Sequence, residues 1–316
     1  MASDRSILST GIPQLLLLGV VWGITFPVAH VGVAAGANPI LLVGLDFLVA
    51  ALGMTPVVLL RHSGRPPARS LLQSAGLGAL LIAGINLPLY WGLQHATGGA
   101  ASIVYATSPI LSLLALWGFG SRTGLHARQL LALAIGLAGV VVLGVGPSNA
   151  ALAVGVAALL AFVLGASCQG VGAVLVGRAR PHGEGPWGLT FQFLGGAAAS
   201  FAVLPFLYRA PAFPLSVGTL GSVAYVGVVS MAVGYTLFFR LIATSGAVRA
   251  NQVTFLNPVV ALLVGGVAFG EGFQPIEAVA LGLIVLALVL LQPFHRHRVP
   301  AAPAPAPGIA GLPGPT

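Results

Sequence analysis

The sequence predicts an all-α integral membrane protein, with ten transmembrane helices arranged as two inverted five-helix repeats. Composition, the placement of arginine and an internal echo carry that expectation. With 57% hydrophobic and 6% charged residues, and a mean hydropathy of +1.02, the chain lies far from globular composition, where about 25% of residues are charged. Its 316 residues accommodate about ten spans of roughly 20 residues each, with short connections. Leu77–Leu93, Leu130–Gly144 and Ala278–Leu291 are continuous apolar runs, whereas strands of a membrane β-barrel alternate over about ten residues. Helices are therefore expected.

The opening residues, MASDRSILSTG, set an arginine before the apolar run Pro13–Gly32 and raise the question of a cleaved signal peptide. That run is about 20 residues, long enough to span, and holds Trp22, Thr25 and Pro27 near its middle, so it reads as the first span. Pro39–Leu60, Leu71–Leu93, Gly98–Phe119 and Arg128–Gly146 complete a first half, 13–146. A turn-forming junction, Gly146–Ala150 (GPSNA), follows. The second half, 151–292, contains Leu152–Val176, Trp187–Tyr208, Val217–Phe239, Ala247–Phe269 and Ile276–Gln292. Residues 293–316 are basic, then rich in Pro and Ala, and are expected to form a disordered cytoplasmic tail.

Arginine fixes the expected orientation, because basic residues are retained on the cytoplasmic side of short loops. All thirteen basic residues are arginine. With the amino terminus inside, the cytoplasmic segments hold Arg5, the trio Arg61, Arg65 and Arg69, and the pairs Arg122/Arg128, Arg178/Arg180, Arg240/Arg249 and Arg296/Arg298; only Arg209 falls outside. Both termini are thus expected in the cytoplasm. A formal charge of +8 would suggest nucleic acid in a soluble protein. Here no aromatic-interleaved basic stripe exists, so the charge reads as topology and no nucleic-acid partner is expected. The single Cys168 lies in a predicted span, which excludes an intrachain disulfide and leaves packing as its expected role.

The echo links Ser245–Glu271 to Ala96–Gly120. Setting Pro258 over Pro109, an offset of 258 − 109 = 149, also aligns Ala250 with Ala101, Val253 with Val104, Leu262 with Leu113 and Leu263 with Leu114. A duplicated unit accounts for this, as does chance in Ala- and Leu-rich sequence. Five spans per unit is an odd number, so the second copy enters the membrane with opposite polarity. Inverted repeats of this kind occur in secondary transporters, with the substrate site near the midplane between them.

The chain resembles the EamA-type members of the drug/metabolite transporter superfamily. The resemblance covers Pro13 to Gln292 and rests on WGITFP at Trp22–Pro27, PILLVGLDFLVAAL at Pro39–Leu52, GLQHATGGAASIVYATSPILSLL at Gly92–Leu114 and LLALAIGLAGVVVLG at Leu130–Gly144. In the second half it rests on Tyr225–Glu271 and on ALGLIVLALVLL at Ala280–Leu291. It implies a ten-helix inner (plasma) membrane carrier for small metabolites, with amino acids common substrates and export the common direction. Two departures stand out: Asp46 where members often have Arg, and Ser121 and Arg122 where they often have Glu. Glu271 is retained.

Asp46 lies seven residues into the second span, about 10 Å below the outer interface at 1.5 Å per residue. Intramembrane carboxylates face a cavity or a partner and often mark proton pathways. Asp46 is therefore a candidate coupling residue, or else a structural acid bonded to a neighbouring helix, with His30 a candidate partner. The candidate substrate-binding residues are Trp22, Asn86, Tyr90 and Tyr235, with two offset-related rows: Ser102, Tyr105 and Ser108 in the fourth span, and Asn251, Thr254 and Asn257 in the ninth. Thr25, Gln169, Gln192 and Gln252 complete the polar set. Such groups are tolerated in lipid when paired or lining water, so interhelical hydrogen bonding is the competing role. Pro109 and Pro258 each remove a backbone donor and are candidate hinges. Gly19/Gly23 and Gly266/Gly270 have close-packing spacing.

No HExxH, GxSxG or phosphate-cradling loop occurs, and the carboxylates besides Asp46 lie near ends or loops, so neither enzyme chemistry nor a cofactor or metal is expected. The sequence points to a secondary transporter, an exporter of small metabolites such as amino acids working by alternating access. A lipid-carrier flippase, a sugar- or nucleotide-type importer of the same fold and a non-transporting scaffold are the alternatives. Its expected partners are the lipid bilayer and a small-molecule substrate, with a proton as candidate co-substrate, in a monomer or homodimer.

Overall fold

The computed structural model describes residues 2–60, 66–120, 127–144, 155–179, 185–208, 211–270 and 275–291. The junction at 146–150, the tail at 293–316, Ser121, Arg122 and Glu271 lie outside the described residues. Within them the chain is helical, and no strand occurs. The first half holds α1 (Ala2–Ala34), α2 (Pro39–Leu60), α3 (Ala68–Gly92), α4 (Gly98–Gly118) and α5 (Ala127–Gly144). The second holds α6 (Val156–Ala179), α7 (Pro186–Leu207), α8 (Val217–Ser245), α9 (247–269) and α10 (Pro275–Leu291). Among the described residues, eight stretches are long and apolar enough to cross a membrane; α5 and α10 carry shorter ones, Leu130–Gly139 and Pro275–Ala287.

Helix ends follow from local chemistry. Gly36, at φ 89°, turns the chain out of α1, a conformation open to glycine at little cost. The Asn38 side-chain oxygen then accepts from the amides of Ile40 and Leu41 at 3.1 and 3.0 Å, capping α2. Thr97 and Ser216 cap α4 and α8 in the same way, accepting from Ala100 and Thr219. Gly270, at φ 68°, ends α9, so this glycine serves as a cap rather than as half of a packing pair.

Four helices depart from regular α geometry. α3 widens to i→i+5 bonding over Gly78–Ile82, and α8 does so over Tyr225–Tyr235. α4 breaks into a turn at Ala106 and Thr107, just before Pro109. α9 tightens to a 3₁₀ turn over Gln252–Phe255, just before Pro258. Both prolines thus stand at irregularities, as expected for a residue with no amide hydrogen. The Ser108 hydroxyl donates at 2.7 Å to the Tyr105 carbonyl, the acceptor that an amide at position 109 would have used.

Packing brings the two halves together. α2 lies along α7, α5 along α10, α1 against α8 and α9, and α6 against α3 and α4. α3 also packs on α7, α8 on α2, and α4 on α9. Exchanging the first five helices for the last five leaves this set of pairs unchanged. Glycine allows the closest crossings. A side chain at Gly19 or Gly23 of α1 would collide with Leu256 or Val260 of α9, which gives this pair its expected packing role. On the α3–α7 crossing, a Cβ at Gly195 would lie 1.9 Å from the Ala75 carbonyl oxygen.

Gly195→Leu should therefore force α3 and α7 apart. Overpacking of this kind costs about 1–3 kcal/mol, read as a lower unfolding temperature or loss of monodispersity of the protein in detergent. An unchanged midpoint would show that the crossing is looser than described.

Candidate functional site

The widened turn of α8, with residues that adjoin or follow the irregular parts of α3, α4 and α9, borders one cavity of about 40 Å³ in the interior, room for a few water molecules. α1 contributes Trp22, Thr25 and Phe26 to its wall, and α3 contributes Ile85, Asn86 and Leu89. Tyr105 comes from α4, Gln169 from α6, Asn257 from α9, and Ser230, Met231 and Tyr235 from α8. Both halves of the chain therefore build the wall. i→i+5 winding brings Ser230 and Tyr235 to one side of α8, where regular α spacing would part them.

Hydrogen bonds hold these side chains in place. Trp22 Nε1 donates to the Ser230 carbonyl at 3.2 Å, and Thr25 Oγ1 lies 2.8 Å from Ser230 Oγ and 2.9 Å from the Val21 carbonyl. Asn86 Nδ2 donates to the Ile82 carbonyl at 2.9 Å and reaches Tyr235 Oη at 3.4 Å, joining α3 to α8. Tyr105 Oη donates to the Ile85 carbonyl at 2.6 Å. Its hydroxyl fits because α6 presents bare backbone at Gly165, where any Cβ would overlap it. Trp22 meets Tyr235 edge to face at 5.4 Å between centroids, and Phe26 meets Tyr105 at 5.5 Å. Edge-to-face pairs of this kind are stabilising.

Of the candidate substrate-binding residues, Trp22, Asn86, Tyr105, Tyr235 and Asn257 line the cavity; Tyr90, Ser102, Asn251 and Thr254 are not in its wall. Ser102 Oγ donates to the Gly99 carbonyl at 2.6 Å, and Thr254 Oγ1 to the Asn251 carbonyl at 2.8 Å. Asn251 Nδ2 donates to Ser112 Oγ of α4 at 2.6 Å, and Asn251 Oδ1 faces Gln169 Nε2 of α6 at 3.4 Å. The two expected polar rows are thus divided. Their serine and threonine hydroxyls bond back to their own helices, the broken helices lose strict i, i+3 register, and Asn251 ties three helices together.

Asp46 is fully buried on α2. Its Oδ2 accepts from Tyr90 Oη of α3 at 2.5 Å, while Oδ1 has no hydrogen-bond partner. The bonded partner is Tyr90 and not His30, which the sequence left as a candidate. His30 instead lines a second, larger hollow of about 490 Å³ at one end of the molecule, with Asn38, Gln94 and Tyr208. This vestibule includes the exposed residues Ala34, Gly36 and Gln94. It lies one helical turn from the cavity: His30 follows Phe26 on α1, and Leu93 follows Leu89 on α3, each by four positions.

Sequence reasoning missed Phe26, Ile85, Leu89, Ser230 and Met231 in the wall. The apolar four resemble any core residue, and Ser230 depends on the widened turn. It also set Glu277 aside as an end residue, yet that acid is buried near Gly99 in the first turn of α4, where helix polarity favours negative charge. Among the described residues, no group of three or more His, Cys, Asp or Glu could hold a metal ion.

Comparison with known proteins matches the chain twice to the EamA-like transporter family, over residues 9–145 and 156–292. The uncharacterised inner membrane transporter YedA of Escherichia coli (strain K12) is 30% identical over 298 residues, covering 93% of this chain and 94% of that protein. A probable terminal-alkyne amino-acid exporter of Streptantibioticus cattleyicolor is 27% identical over 300 residues, 94% of this chain and 98% of that one. A solved crystal structure matches with a TM-score of 0.64 and 20% identity, covering 88% of this chain and 95% of that chain; this likeness shows the fold.

Tyr90→Phe removes the hydrogen-bond donor to Asp46 and should destabilise the protein by about 1–3 kcal/mol, the cost of orphaning a buried polar group. Adding Asp46→Leu should recover part of that loss. Thermal unfolding of the two single variants and the double variant in detergent checks both; strictly additive losses would show that the pair is not coupled.

Proposed function

The chain belongs to the EamA-like transporter family, and from that premise we propose that it is a secondary transporter exporting small metabolites such as amino acids by alternating access. It is a multi-pass inner-membrane transporter and not an enzyme. In the proposed reading all ten helices span, as two inverted five-helix repeats, 13–146 and 151–292, with both termini and the tail 293–316 in the cytoplasm.

One observation carries this reading: the central cavity has walls from both halves, and Asn86 and Tyr235, which meet in it, are 149 positions apart. That is the offset of the sequence echo. The widened turn of α3 transposes by the same offset, 78 + 149 = 227 and 82 + 149 = 231, into the widened turn of α8. Helix pairs unchanged by exchange of the halves also favour two equivalent units. The amino-acid class draws support from the Streptantibioticus relative named as a probable amino-acid exporter.

Transport requires the cavity to widen, since about 40 Å³ admits a few waters. We assign Trp22, Asn86, Tyr105, Tyr235 and Asn257 to direct substrate contact. Asn251 acts one layer behind, through bonds that tie α4, α6 and α9 together, while Ser102 and Thr254 stand beside it bonded to their own helices. Tyr90 holds Asp46, the proposed coupling residue. Pro109 and Pro258 adjoin the interruptions of α4 and α9, where bending costs few backbone hydrogen bonds.

Proteoliposomes loaded with amino acids, sugars and nucleobases in turn should show counterflow for an amino acid, with Asn257→Ala slowing it about tenfold, the loss of one polar contact. Transport of nothing in the panel by a folded protein would overturn the reading. With a substrate in hand, Asp46→Asn should abolish the response to an imposed pH gradient and leave exchange intact. Gradient dependence that survives the substitution would remove Asp46 from coupling.

A further inference from the structure

The wall of the central cavity contains no arginine, histidine or carboxylate among the described residues. Ionisable groups of the surrounding helices stand elsewhere. Asp46 is bonded to Tyr90, and both lie outside the wall. His30 lines the vestibule, one turn beyond Phe26 on α1, and Glu277 lies near Gly99 at the start of α4. Arg69, Arg178 and Arg240, on α3, α6 and α8, are exposed. What the wall offers instead is balanced in sign. The carboxamides of Asn86, Gln169 and Asn257 each carry a donor and an acceptor, and the hydroxyls beside them both give and accept. Four aromatic rings form much of the rest.

An ion taken from water into such a wall sheds its hydration and meets no opposite charge, a loss of about a thousandfold or more in affinity. The aromatic rings attract a cation, but their contribution is about two- to thirtyfold, which leaves that loss largely unmet. An anion lacks even this help. A zwitterion differs, because its two ends offset one another and each finds hydrogen bonds in the carboxamides. We infer that the cavity takes solutes of zero net charge with an apolar or aromatic body, amino-acid zwitterions with uncharged side chains among them, and turns away an unbalanced charge of either sign. The inference rests on the reading of this cavity as the substrate site and adds the class of substrate to it.

Three probes share one skeleton and differ in net charge at neutral pH: 4-methylphenylalanine is neutral, 4-(aminomethyl)phenylalanine singly cationic and 4-carboxyphenylalanine singly anionic. Each is titrated against the purified full-length protein in detergent, with binding followed by tryptophan fluorescence and thermal unfolding. The neutral probe should bind, and each charged probe should bind at least about thirtyfold more weakly. Gln169→Glu sets a carboxyl in the wall at nearly constant size, and the cationic probe itself favours the ionised form. That variant should raise the affinity for the cationic probe, relative to the neutral one, about tenfold or more. If it fails to fold, the comparison of the three probes on the unaltered protein still decides. Binding of either charged probe less than about tenfold weaker than the neutral one, binding of none of the three, or an unchanged ratio in folded Gln169→Glu would overturn the inference. Counterflow is read separately. Exchange of lysine or glutamate as fast as that of neutral amino acids would leave the transporter reading standing and remove net neutrality. Exchange of nothing in the panel would remove the transporter reading, while selective binding of the neutral probe would still report the preference of the wall.

Discussion

In hydrocarbon every backbone donor and acceptor must find its partner inside the protein, and the rest of this structure follows from how the chain meets that demand. Regular helix meets it over most of the sequence. Where α4 and α8 leave regular geometry, side chains take up carbonyls, Trp22 at Ser230, Ser108 at Tyr105 and Thr107 at Val104, and Tyr105 does so at Ile85, just past the widened turn of α3. These substitutions concentrate around the cavity. The widened turn of α8 borders the hollow directly with Ser230, Met231 and Tyr235, and the aromatic and hydroxyl residues of the wall serve both the backbone and the cavity.

Polar groups in the interior divide into two kinds. Some are satisfied, within their own helix or by joining helices: Asn251 links α9 to α4 and α6, Asn86 links α3 to α8, and Ser112 reaches the Gly170 carbonyl of α6 at 3.1 Å. Such contacts between membrane helices are worth about 0.6–2 kcal/mol each. A few are left incomplete, notably Asn257 Oδ1 and Asp46 Oδ1. Both oxygens are themselves buried; the Asn257 residue lines the cavity, whereas Asp46 and its partner Tyr90 stand outside the wall.

Much of the fold is legible in the sequence because membrane crossing is written in long apolar runs. The expected spans overlap the observed helices from Pro39–Leu60 through Val217–Ser245. The site was only partly legible. Aromatic and amide residues at span centres, such as Trp22, Asn86 and Tyr235, announce themselves by being costly in lipid. The rows Ser102/Tyr105/Ser108 and Asn251/Thr254/Asn257 assumed unbroken helix, and the turn at Ala106 and the 3₁₀ segment at Gln252–Phe255 changed which members face inward. Ser230 could not be found from α periodicity, and nothing local in the sequence marks the widened turn that turns it toward the hollow. The Asp46 partner was equally out of reach, because Tyr90 and His30 are both plausible until α2 and α3 are docked.

The vestibule gives the molecule an electrical asymmetry. Water filling that hollow carries the potential of its own bulk phase to within one helical turn of the cavity, about 6 Å at 1.5 Å per residue. The layer that separates them, with Phe26 and Leu89 on its cavity side, is then the thinner insulator. Most of the transmembrane voltage, worth about 2.3 kcal/mol per unit charge for every 100 mV, falls across the thicker protein on the other side. A charged solute moving between cavity and vestibule would cross little of the field, so voltage would act chiefly on the step that connects the cavity with the opposite face.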